Sequence, residues 1–104
     1  MHHAGQTVIE NLRVSRTAKV PAEASDYAQQ KIGPLAKYAP ATVESAEVRL
    51  TTTADRRTEP LIVAHVQLSV NGTGVHAEAE AGTYTEAIDL LHDRVHSQLL
   101  RMHH

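Results

Sequence analysis

Histidines and carboxylates offer the first chemical leads in this chain. His92 and His96 stand four residues apart in the segment HDRVH, so on a helix both imidazoles could reach one metal ion. Asp93 follows the first His where zinc proteases carry a Glu, which argues against metal-assisted hydrolysis. His103 and His104 lie too far along the same helix to complete a ligand set without fraying. His76 alternates with Glu78 and Glu80, which places an imidazole and two carboxylates on one face of a strand. Such a trio could move protons, but it falls on an open sheet where the sequence implies no pocket. Cys is absent, and there is neither a Gly-rich phosphate loop nor a Ser in a nucleophile-elbow pattern. The residues argue for a binding protein, not an enzyme, and no metal or cofactor is expected.

The elements that would position these groups can be read from hydrophobic periodicity. In residues 66–70, Val66, Leu68 and Val70 alternate with Gln67 and Ser69, and in 75–81 Val75, Ala77, Ala79 and Ala81 alternate with His76, Glu78 and Glu80. The linker Asn71-Gly72-Thr73-Gly74 supplies the positive-φ residues of a tight hairpin. After Gly82 the period changes, and Tyr84, Ile88, Leu91, Val95, Leu99 and Met102 form one helical stripe. Upstream, Val8, Leu12 and Val14 suggest a first strand over 8–15, and Pro21 suits the first turn of a helix. That helix carries Ala24, Tyr27, Ala28, Ile32, Leu35 and Tyr38, with Gly33-Pro34 expected to kink or divide it and Pro40 to close it. Strands follow at 44–51 and 61–70, separated by a polar loop over 52–60. The order is β-α-β-β-β-α: an α+β, two-layer sandwich of a four-stranded sheet with two helices on one face. The other face, with Glu47, Arg49, His65, Gln67, Ser69, His76, Glu78 and Glu80, is expected to meet water.

Size and composition bound the rest. The 104 residues make a single domain, with its core over about 8–102, and a chain of this size buries roughly 65% of its unfolded surface. Without Phe or Trp the core must be aliphatic. The lack of Cys fits a reducing cytoplasm, and neither a secretory leader nor an apolar run of membrane-spanning length is visible. The formal net charge is −2, yet it is unevenly spread. Residues 13–37 hold Arg13, Arg16, Lys19, Lys31 and Lys37 against Glu23 and Asp26, whereas 71–93 hold Glu78, Glu80, Glu86, Asp89 and Asp93 with no Lys or Arg.

Two motifs go further. Residues 70–80 read VNGTGVHAEAE, and residues 84–99 read YTEAIDLLHDRVHSQL. A looser third, KVPAEASDYAQQKIGPLAKY, covers 19–38. In this order they resemble the ribosome hibernation-promoting factors, also called ribosome-associated translation inhibitors, across about 12–101. That resemblance implies a fold like the double-stranded-RNA-binding domains. It also implies binding to ribosomal RNA in the messenger and transfer RNA channel of the small ribosomal subunit, blocking translation in stress or stationary phase. Long members of the family add a C-terminal domain that pairs two ribosomes.

The resemblance assigns RNA-binding roles to Lys31 and Lys37 on the first helix and to Arg94 and Arg101 on the second. Arg94 and Arg101 are seven residues apart and should project from one side, beside the buried stripe. Pro34 and Ser97 stand where the family usually has a Lys and an Arg, so the cationic track is thinned. Losing two phosphate contacts flattens the salt dependence by roughly 1.4 to 1.8 log units per log unit of salt. Arg13, Arg16, Lys19, Arg56 and Arg57 are further RNA-binding candidates. Protonation of the many histidines would strengthen RNA binding in mild acid. The alternative is a relative with weakened RNA affinity that pairs with a second copy, through the polar sheet face or an edge strand.

Overall fold

Asn71 and Gly72 set the register of the sheet. Both have positive φ, 52° and 80°, which closes a two-residue turn between β3 (Ile62–Val70) and β4 (Thr73–Ala81) and pairs Val70 with Thr73. Thr73 and Gly74, expected in the linker, therefore belong to β4. The computed structural model describes residues 8–53 and 59–102.

Strand β2 (Val43–Thr52) runs antiparallel to β3, and β1 (Leu12–Arg16) joins β2 in parallel at one edge, giving the order β1-β2-β3-β4. The first strand starts later than its periodicity suggests. Val8 is 48% exposed, while Ile9 is buried and donates its N–H to the Gly33 carbonyl at 2.9 Å. The chain thus leaves the sheet there to pack under the first helix. A Cβ on Gly33 would lie 3.2 Å from Val8 Cγ2, so glycine permits this close approach.

Helix α1 (Glu23–Ile32) ends where Gly33-Pro34 begins, and a 3-10 segment, Gly33–Tyr38, carries its buried stripe onward through Leu35 and Ala36. The proline has no N–H to continue the α-helical ladder. Helix α2 (Tyr84–Arg101) opens at Thr83, whose hydroxyl accepts from the Glu86 N–H at 3.2 Å. Ile88, Leu91, Val95 and Leu99 are buried as expected, and Ala87 joins them.

Both helices lie over the sheet face formed by Ala46, Val48, Leu50, Ala64, Val66, Leu68, Val70, Val75, Ala77 and Ala79, all buried. Apart from Val63, the opposite face carries polar side chains, as the alternation requires. Among the described residues no helix is long and apolar enough to cross a membrane.

Candidate nucleic-acid interface

The four cations inherited from the helical motifs lie on two flanks of α2. On the flank facing α1, the Tyr27 hydroxyl donates to Asp89 Oδ1 at 2.6 Å, and Lys31 Nζ lies 3.7 Å from the same oxygen. The hydrogen bond to Asp89, with lesser help from burial and the carboxylate charge, raises the Tyr27 pKa above its usual 10.0. Further along, Lys37 Nζ sits 5.3 Å from the centre of the Tyr38 ring. Tyr38 meets His96 edge-on at 4.3 Å between ring centres, and His96 lies nearly parallel to His92 at 6.0 Å. His92 Nδ1 is 3.1 Å from Asp93 Oδ1.

The opposite flank of α2 overhangs the free edge of β4. Arg94 Nη1 donates to the Glu78 carbonyl, and Gln98 Nε2 donates to the His76 carbonyl at 2.6 Å. Four residues of helix rise about 6 Å and two residues of strand about 6.8 Å, so the two donors meet successive outward carbonyls. Arg101, also exposed, donates from Nε to the Ser97 carbonyl one turn back at 3.4 Å.

Arg94 and Arg101 therefore share a side, and Lys31 and Lys37 share another. The thinned cationic track expected from the motifs is thus divided between two flanks. At 100° per residue, Glu86, Asp93 and Ser97 occupy the outer ridge of α2 between the flanks, and the Asp93 side chain is 78% exposed. A phosphate chain crossing that ridge would meet carboxylates, so the two pairs can serve different segments of an RNA backbone more readily than one.

The remaining candidates are dispersed. Arg13 is on the uncovered sheet face, opposite Glu47 of β2. Arg16 donates to the Val20 carbonyl at 3.1 Å and so closes the turn before α1, where Lys19 is exposed. Arg56 and Arg57 lie outside the described residues. On the same uncovered face as Arg13, Arg49 stands opposite His65, and His65 opposite Glu78. A recess at the β1 end of this face is lined by Glu10, Arg13, Glu44, Glu47 and Gln67 among others; His76, Glu78 and Glu80 lie outside it. Among the described residues no group of three or more His, Asp or Glu side chains could hold a metal ion.

Two participants were not assigned from sequence. Gln98 could have been found from its i, i+4 spacing to Arg94. The convergence of Tyr38 with His92 and His96 could not, because it depends on how the 3-10 segment packs.

Residues 14–104 match the family described as Sigma 54 modulation protein / S30EA ribosomal protein. The chain belongs to that family. This agrees with the hibernation-factor resemblance of its motifs. Among solved structures it is similar to the Protein Y N-terminal domain of Thermus thermophilus, with a TM-score of 0.69, 24% identity, and coverage of 88% of this chain and 94% of that one. It is also similar to a ribosomal subunit interface protein from Coxiella burnetii, with a TM-score of 0.64, 12% identity, and coverage of 88% and 96%. At these identities the likeness establishes the shared fold. Among curated protein sequences, none matches. Both solved structures share the α+β architecture seen here, on which the chain displays its helical cations.

Proposed function

We propose that this protein binds the small ribosomal subunit in the channel used by messenger and transfer RNA and inhibits translation there by steric occupancy. The observation that carries this reading is the family match over residues 14–104. On this reading the protein is a cytoplasmic hibernation factor, active in stress or stationary phase, that works without catalysis or a cofactor. Lys31, Lys37, Arg94 and Arg101 supply the phosphate contacts from the helical layer, in two pairs. Asp89 partly neutralises Lys31, at 39% side-chain exposure, so the Lys31 pair contributes less than two free charges would.

Cosedimentation with purified small subunits across a salt series tests it. Binding that falls steeply with salt is expected, because phosphate neutralisation releases counterions. The substitution pairs Arg94→Gln with Arg101→Gln, and Lys31→Gln with Lys37→Gln, should each flatten the slope by up to roughly 1.8 log units. A wild-type protein that ignores the subunit, or a slope unmoved by both pairs, refutes the reading. Salt-insensitive self-association without subunit binding would instead favour pairing with a second copy.

A further inference from the structure

Aromatic rings are scarce in this chain, which has three Tyr and neither Phe nor Trp. Two of the three, Tyr27 and Tyr84, meet edge to face, and Tyr27 also bonds to Asp89. The third, Tyr38, joins His96 and His92 in a row of rings on the flank of α2 that faces α1. Tyr38 meets His96 edge-on at 4.3 Å between centres, and His92 lies at 27° to His96, 6.0 Å away. Asp93 reaches from the outer ridge to His92 Nδ1 at 3.1 Å, which restrains that ring. The two imidazoles lie outside the aliphatic core. Both are half-buried, so each is anchored against the protein yet keeps surface open to a ligand.

A nucleobase is the ligand class that this arrangement fits. Every base has a π-face that stacks on aromatic side chains, and histidine is among the rings that serve. The neighbouring cations point the same way. Lys37 Nζ is 5.3 Å from the centre of the Tyr38 ring, and Lys31 stands on the same flank. One stretch of RNA can therefore give phosphates to the lysines and a base to the imidazoles. Bases inside an A-form duplex stack on one another and are closed to this contact, so the base must be unpaired. Stacking neutralises no phosphate and releases no counterions, so it adds affinity that salt does not screen. That suits a chain whose helical layer carries four cations and whose formal net charge is −2.

We propose that His92 and His96 form a stacking platform for an unpaired base of ribosomal RNA, with Lys31 and Lys37 holding the adjoining phosphates. The platform rests on the ribosomal reading above and deepens it, because it names what this flank takes: a base from a loop, bulge or linker, not a duplex groove.

The test measures affinity for purified small subunits, free of messenger RNA, over a salt series at constant pH. Wild type is compared with three variants: His92→Ala with His96→Ala, His92→Phe with His96→Phe, and His65→Ala with His76→Ala on the opposite sheet face. Thermal midpoints establish that each folds. The Ala pair on α2 should bind roughly 5- to 150-fold more weakly at every salt concentration, with the slope of log affinity against log salt unchanged. The Phe pair restores π-faces but neither charge nor hydrogen bonds, and should recover most of the affinity. The sheet-face pair should bind like wild type. Ultraviolet irradiation of the wild-type complex needs no variant, and should join RNA covalently to a peptide that carries His92 or His96. An α2 Ala pair that binds like wild type, a flattened slope, no recovery in the Phe pair, an equal loss in the sheet-face pair or the absence of that crosslink overturns the platform and leaves the ribosomal reading intact. Failure of wild type to bind overturns both.

Discussion

Tyr27 and Asp89, 62 residues apart, are joined by a 2.6 Å hydrogen bond that ties α1 to α2. The phenol donates and the carboxylate accepts, while Lys31 lies against the same oxygen. Replacing Tyr27 by Phe should cost about 1 kcal/mol of stability in urea unfolding at neutral pH. Because the folded protein holds the Tyr27 proton more tightly than the unfolded chain, the contribution is complete below pH 10. It is then lost as pH rises through the raised folded value. The gap between wild type and Tyr27→Phe should therefore shrink in alkali, and a gap that widens would contradict the assignment.

The β4 edge yields a second prediction. An exposed strand edge invites pairing with another chain, and here Arg94 and Gln98 occupy the outward carbonyls of Glu78 and His76. Gln98→Ala removes one of these covers without changing any charge. Amide exchange along β4 should accelerate and sedimentation should show weak, concentration-dependent association, while the salt slope of subunit binding stays the same. A lowered affinity at unchanged slope would mean that Gln98 itself touches RNA.

Leu91 sits in the middle of the α2 stripe and is 0% exposed. Leu91→Ala deletes atoms between the helix and the sheet and leaves a cavity, so a loss of about 2 to 5 kcal/mol is expected in chemical denaturation. In a domain with an aliphatic core, that is enough to threaten folding altogether.

Gly72 has open space around a missing Cβ but a φ of +80°. Gly72→Ala should therefore destabilise the hairpin by about 1 kcal/mol through backbone strain alone. Gly74→Ala would instead bring a Cβ to 3.4 Å from His76 Nε2, an ordinary contact that an exposed ring can relieve. Thermal melts of the two variants should rank Gly72→Ala below Gly74→Ala, and the reverse order would refute the turn geometry.

Much of this molecule follows from the order of its residues. Period-two alternation on β2, β3 and β4 and the stripe from Tyr84 to Met102 dictate which faces are buried, because burial is a local property of spacing. Asn71-Gly72 fixes the hairpin and Gly33-Pro34 ends α1, since both act through their own backbone. The start of β1 was misplaced because Ile9 is held by the Gly33 carbonyl, a contact with a distant segment that local alternation cannot encode.

The surface was less legible. Sequence determined that Arg94 and Arg101 share one side of a helix, and that basic and acidic residues cluster in different halves of the chain. Only the packing of α1 against α2 decided that Lys31 would meet Asp89, that Lys37 would lie across the helix from Arg94, and that Tyr38 would lean on His96. Helical periodicity sets directions within one element, but the meeting of side chains from two elements depends on how the sheet and core fix their separation.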